Sequence, residues 1–148
     1  MWGCFAEGSH RMSAREDLVL IVDSDLAVRE SLKFLVELEG MRAEICGTAR
    51  QFLDHPDLDK ARCAIIDSKL PDMAVAEILD RLRTQQNGLN AILIADQMSR
   101  SALLRMKAAG ARYIVEKPVL DDALLECLRK VRSAEPLPVP QANEMSNR

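Results

Sequence analysis

The sequence predicts an α/β domain with a doubly wound parallel sheet, five strands alternating with five helices. Three observations predict it. Short apolar runs rich in branched residues recur along residues 18–133, the stretches between them carry apolar residues at helical spacing, and capping residues or glycines bound most of those stretches. Strands buried on both faces of a parallel sheet read as continuous apolar runs rather than as apolar–polar alternation.

The elements follow in order. Residues 18–22 (LVLIV) form the first strand. Asp25 caps a helix running to about Glu39, with Val28, Leu32, Leu35, Val36 and Leu38 as its apolar face and Gly40 as its stop. Residues 42–46 make a weaker strand, and residues 48–53 a short helix that ends near Pro56. A fully apolar strand over 63–66 is followed by a helix over 75–82, with Asn87-Gly88 as the break. Residues 91–94 form another apolar strand, and a helix runs from Ser99 to Ala109 with Gly110 at its end. Residues 113–115 are the last strand. The last helix covers 120–131, with Leu120, Leu124, Cys127, Leu128 and Val131 at helical spacing.

The chain of 148 residues and 16.5 kDa is enough for one ordinary domain. Residues 1–17 show no period, and Gly8-Ser9-His10 has the look of a tag, with Met12 a natural start; a disordered extension is expected there. From Glu135 the run EPLPVP and the polar residues after it predict a Pro-rich mobile tail over 134–148. The folded body is therefore 18–133.

Composition excludes several function classes. A net charge of −3 and 3% aromatic residues offer neither a basic surface nor a base-stacking platform, so no direct nucleic-acid contact is expected. Apolar stretches of about five residues are far short of the ~20 that span a membrane. Cysteines at 4, 46, 63 and 127 form no CxxC pair, only His10 and His55 could join them on zinc, and no secretory signal precedes the fold. Free thiols in a reducing cytoplasm are the expectation.

In doubly wound sheets the chemistry lies beyond the carboxyl ends of the strands. There the sequence places Asp23-Ser24-Asp25, Asp67, Ala95-Asp96 and Glu116-Lys117-Pro118. Carboxylates from two strands suit a hard cation such as Mg²⁺, and a lysine beside them suits an incoming phosphoryl group. Each acid could instead simply cap the next helix. That account is preferred for Asp25 alone, not for Asp23, Asp67 and Lys117 together.

The stretches VLIVDSDLAVRESL, AIIDSKLPDM, ILIAD and GARYIVEKPV resemble the receiver domain of bacterial two-component response regulators. The spacings, 44 residues from Asp23 to Asp67 and 50 from Asp67 to Lys117, fit that family without gaps over residues 18–132. The resemblance implies a flavodoxin-like sheet of strand order 2-1-3-4-5. It also implies that Asp67 is the phosphoacceptor, that Asp23, Asp67 and the backbone carbonyl of Lys69 hold Mg²⁺, and that Lys117 neutralises phosphoryl oxygens. The Lys117–Pro118 bond is expected to be cis. A flavodoxin-type cofactor protein would need a phosphate-cradling loop where DSDLAV stands, and a hydrolase would need a placed nucleophile and base that His10 and His55 cannot supply.

Three positions depart from the family pattern. Ser24 replaces the second metal-binding acid and should weaken Mg²⁺ binding. Ala95 replaces the Ser or Thr whose hydroxyl reaches the phosphoryl group, and Ile114 replaces the aromatic readout ring. The expected function is phosphorelay signalling with phosphate taken from a histidine kinase or phosphotransfer protein, and output through a downstream protein target. It is not an enzyme in the usual sense. The alternative is a pseudo-receiver, a binding module in which Asp67 is never phosphorylated. Residues 97–117 carry net +4 (five basic, one acidic) against −5 for 18–96 (nine basic, 14 acidic), so Arg100, Arg105, Lys107 and Arg112 are a candidate docking or homodimer surface. With no DNA-binding module after residue 133, a stand-alone receiver and the receiver part of a longer regulator are both open.

Overall fold

The computed structural model describes residues 16–85, 88–119 and 121–133. In chain order the elements are β1 (Glu16–Val22), α1 (Leu26–Leu38), β2 (Arg42–Cys46), α2 (Ala49–Leu53), β3 (Ala61–Asp67), β4 (Lys69–Leu70), β5 (Met73–Ala74), α3 (Val75–Thr84), β6 (Asn90–Ala95), α4 (Arg100–Ala109), β7 (Ala111–Glu116) and α5 (Asp121–Ser133). The main sheet is parallel, in the order β2-β1-β3-β6-β7. Counted along its five strands this is 2-1-3-4-5, as the family resemblance implied. The proposed tail, Cys4, His10, Leu120 and Asn87 lie outside the described residues.

Strand alternation sends successive side chains to opposite faces and creates two cores. Leu18, Leu20, Ala64, Ile66 and Leu93 pack with Phe52 of α2 and Ile78, Leu79 and Leu82 of α3, and α4 adds the half-buried Met106. Val19, Ile21, Ile65, Ile92 and Ile94 pack on the other face with Leu32 and Val36 of α1 and Leu124, Leu128 and Val131 of α5. The middle strands β1, β3 and β6 are therefore buried on both faces.

Four differences from the sequence reading have physical causes. First, β1 starts two residues before the apolar run, because Asp17 is ion-paired to Arg62 and Arg132 and the backbone at Glu16 pairs with Ala61. Second, Val28 and Leu38 belong to the exposed side of α1 rather than its core stripe, which Leu32 and Val36 form. Third, the two-residue strands β4 and β5 pair antiparallel, too short to leave a period in the sequence. Fourth, Arg112 does not share a surface with Arg100: it is the second residue of β7, at the amino edge of the sheet, and bonds Asn90, whereas Arg100 begins α4 at the carboxyl edge.

The capping signals were informative. Asp25 accepts from the N–H groups of Ala27 and Val28, Thr48 from Gln51 and Ser99 from Ala102. Gly40, at φ +83°, ends α1 in a conformation that other residues adopt at a cost.

Candidate functional site

Asp23 is the first residue past β1 and Asp67 the last of β3, so the adjacent parallel strands bring both carboxylates to one edge. Both are only 5% exposed. The Asp23 backbone is held from two sides: its N–H donates to the Cys46 carbonyl at 3.1 Å, and its carbonyl accepts from Arg29 Nη1 at 2.7 Å. Its carboxylate Oδ1 accepts from the N–H of Asp25 at 2.9 Å. Burial pushes the Asp23 carboxyl above its ordinary value, and Asp67 pushes the same way, against the Asp25 N–H and Lys117.

Lys117 follows β7. Its N–H donates to the Ala95 carbonyl at 2.7 Å, and its bond to Pro118 is cis. The Lys117 ammonium stands 3.1 Å from Asp67 Oδ1. The two are attracted as ions, and among the described residues the buried Oδ1 has no partner besides this lysine. Burial works to lower the lysine's proton affinity, but Asp67, Asp96 and Asp23 outweigh it and raise the value.

The other predicted positions are distributed around this pair. Ser24 is exposed and lines a cleft of about 600 Å³ with Asp23, Asp67 and Lys117. Asp25 is committed to the cap of α1. Ala95 ends β6 and is fully buried, and Ile114 is half-buried on β7 against the α2–α3–α4 core. Lys69 lies two residues past Asp67, but its side chain is paired with Asp96.

Sequence reading missed two residues. Asp96, at a strand end with no role assigned by its local sequence, pairs with Lys69, and that lysine holds its carboxyl below the usual carboxylate range. Asp72, from the LPDM block, accepts from the N–H groups of Ala49 and Arg50, both at 3.0 Å, and so ties the loop after β3 to the start of α2. No local pattern points to a partner 22 or 23 residues away. Among the described residues His55 joins no cysteine. It bonds Glu44 Oε1 at 2.8 Å and accepts from the Asp57 N–H at 3.0 Å, which uses both ring nitrogens within the protein.

The donor set fits Mg²⁺. Two buried carboxylates lie at one edge beside one lysine, Asp67 Oδ1 has no partner but that lysine among the described residues, and the candidate ligands are oxygens, which a hard cation prefers. The grouping of Glu44, His55 and Asp57, whose ligand atoms lie within 4.8 Å of one another, is elsewhere, and its histidine is already committed.

Comparison with known proteins identifies the family. The family model described as response regulator receiver domain matches residues 19–129. The response regulator protein TodT of Pseudomonas putida is 27% identical over 142 residues, covering 91% of this chain and 63% of that protein. The transcriptional regulatory protein FixJ of Azorhizobium caulinodans is 32% identical over 120 residues, covering 79% of this chain and 56% of that protein. The chain thus spans somewhat under two thirds of the length of these relatives. The crystal structure of a CheY-like receiver domain protein from Methanospirillum hungatei superposes with a TM-score of 0.69 at 31% identity, covering 80% of this chain and 95% of that one.

Proposed function

The chain belongs to the response regulator receiver domain family, and from that premise we propose that Asp67 accepts a phosphoryl group from a phosphohistidine of a sensor kinase or phosphotransfer protein. The observation that carries this is the buried Asp67 carboxylate at the carboxyl edge with Lys117 at 3.1 Å. A carboxylate oxygen of Asp67 attacks phosphorus as the P–N bond breaks. The bonding pair leaves on the imidazole nitrogen, which takes up a proton as needed, and an acyl phosphate remains on Asp67. Lys117 faces the oxygens that carry the transferred charge.

Asp23, Asp67 and the Lys69 carbonyl are the groups we assign to Mg²⁺, which would supply charge neutralisation when bound. Ser24 adds no charge, so the binding is expected to be weak. The reaction is stoichiometric: the chain is a signalling module rather than a turnover enzyme.

The cleft runs from Asp67 along Ala27, Val28 and Ser31 of α1, so the donor approaches over that helix. Among the described residues no helix is long and apolar enough to cross a membrane. The free thiols of Cys46, Cys63 and Cys127 suit a reducing cytoplasm, where we place the protein. For the downstream target or a second copy we propose α4, which exposes Arg100, Leu104, Arg105 and Lys107. Reversing Arg100 and Arg105 to Glu should abolish association at low salt, read by sedimentation; an unchanged profile would remove α4 as the interface.

The test of phosphotransfer is incubation with acetyl phosphate and magnesium, followed by intact-mass analysis. One phosphoryl group on the wild type and none on Asp67→Asn is the expected result. No uptake by the wild type would favour a phosphorylation-independent binding module, against which the family match and the acceptor–lysine pair both speak.

A further inference from the structure

The carboxyl edge of the sheet holds an arrangement that the acceptor chemistry does not explain. Four charged side chains form an alternating series: Asp67 with Lys117, and Asp96 with Lys69. The two pairs are not independent, since Lys117 and Asp96 lie within each other's field. Lys69 is two residues from the acceptor, and Asp96 follows Ala95, the last residue of β6, whose Ile94 pairs with Asp67 in the sheet.

We propose that Lys69 is a second phosphoryl ligand of this chain, parked on Asp96 in the unmodified state and transferred to the phosphoryl group on Asp67, where it takes the place of the hydroxyl that Ala95 lacks. Three considerations carry it. Phosphorylation exchanges a carboxylate of one negative charge for a phosphoryl group of nearly two, while Lys117 remains the cation paired with it. Ala95 presents only a methyl group, so a hydrogen-bond position on the phosphoryl oxygens is left to another donor. The Lys69–Asp96 pair is on the surface, with the lysine side chain 71% and the aspartate 48% exposed, and an exposed pair holds its partners loosely. A more highly charged anion beside the acceptor therefore competes well for the lysine, whose flexible stem allows the move. The movement ends with the exposed Asp96 released from its pair, a local change of charge that a partner can read.

This inference rests on Asp67 being the acceptor, and the experiment separates the two. The probe is beryllium fluoride, a phosphoryl mimic, titrated calorimetrically into the full chain with saturating magnesium. The set is wild type, Asp67→Asn, Lys69→Met, Lys69→Arg, Asp96→Asn and Lys69→Met/Asp96→Asn. These side-chain changes leave the Lys69 backbone carbonyl in place.

Lys69→Met should weaken binding about tenfold, as loss of one charge-assisted hydrogen bond would, and Lys69→Arg should recover most of it. Asp96→Asn should tighten binding several-fold by freeing the lysine. In the Lys69→Met background the same Asp96 change should do much less, because no lysine remains to be freed. The ¹⁵N signal of the Lys69 ammonium should shift on saturation. Equal binding by wild type and Lys69→Met, with none by Asp67→Asn, would overturn the role of Lys69 and keep the acceptor. Equal tightening by Asp96→Asn in both backgrounds would also overturn it, since only the site's net charge would then matter. Failure of the wild type to bind, or undiminished binding by Asp67→Asn, would remove the acceptor reading and this inference with it.

Discussion

The two edges of the sheet use the same residue types for opposite ends. At the amino edge, Asp17 takes Arg62 at 2.9 Å and Arg132 at 3.2 Å. Arg132 also donates to the Glu39 carbonyl at 2.6 Å, and Arg129 grips the Glu39 carboxylate with two bonds of 3.1 and 3.0 Å. Asn90 donates to the Arg62 carbonyl and accepts from Arg112. Each of these groups finds a partner within the fold, and together they tie α5 to the ends of β1 and α1. At the carboxyl edge two carboxylates are buried side by side, Lys117 is paired with only one of them, and among the described residues Asp67 Oδ1 has no other partner. A satisfied polar network is structure; an under-satisfied one is capacity held for a ligand, at some cost in stability.

The largest expected effect tests whether one core supports both edges. Ile66 is fully buried beside Asp67, and Ile66→Ala should cost about 2–5 kcal/mol. Urea unfolding should remain one transition, lost together at both edges; two separated transitions would mean that the edges are independent units.

Next in size is the metal. Ser24→Asp adds a carboxylate to a cleft that already holds Asp23 and Asp67, and should raise Mg²⁺ affinity by roughly tenfold or more. Calorimetric titration giving unchanged or weaker binding would break the assignment of position 24 to the metal.

The comparison is sharpest when one change is made at both edges. In metal-free buffer at neutral pH, Asp23→Asn should stabilise the fold by about 1 kcal/mol, because it removes a buried charge facing Asp67 while keeping an acceptor for the Asp25 N–H. Asp17→Asn should destabilise it by roughly 0.5–1 kcal/mol, because it weakens two partly exposed ion pairs. Equal signs for the two variants, measured by urea denaturation, would refute the contrast.

The smallest effect is a pH slope. Two N–H donors hold the Asp72 carboxyl below the usual carboxylate range. A depressed folded value means that this contribution is present above the unfolded value of about 3.9 and disappears as pH falls through the lower folded value. Asp72→Asn should flatten that part of the acid-denaturation curve and leave its upper part unchanged.

Much of this protein was legible in its sequence because the signals are local. The runs at 18–22, 63–66 and 91–94 mark strands buried on both faces, and Asp25, Ser99, Gly40 and Gly110 mark helix ends, since each acts on backbone a few residues away. Asp23, Asp67 and Lys117 could be gathered at one edge for the same reason: each lies at the end of its strand, and a parallel sheet lines those ends up. What tertiary structure decided is which side chains meet. Val28 and Leu38 match the helical period of α1 yet remain exposed, because the position of the sheet, not the period, sets the width of the buried stripe. Asp72 on α2, Lys69 on Asp96, and Arg132 on both Asp17 and Glu39 join residues from 22 to 115 positions apart. Pairings at such distances depend on how the strands are ordered and how far each side chain reaches, and neither leaves a mark in local spacing.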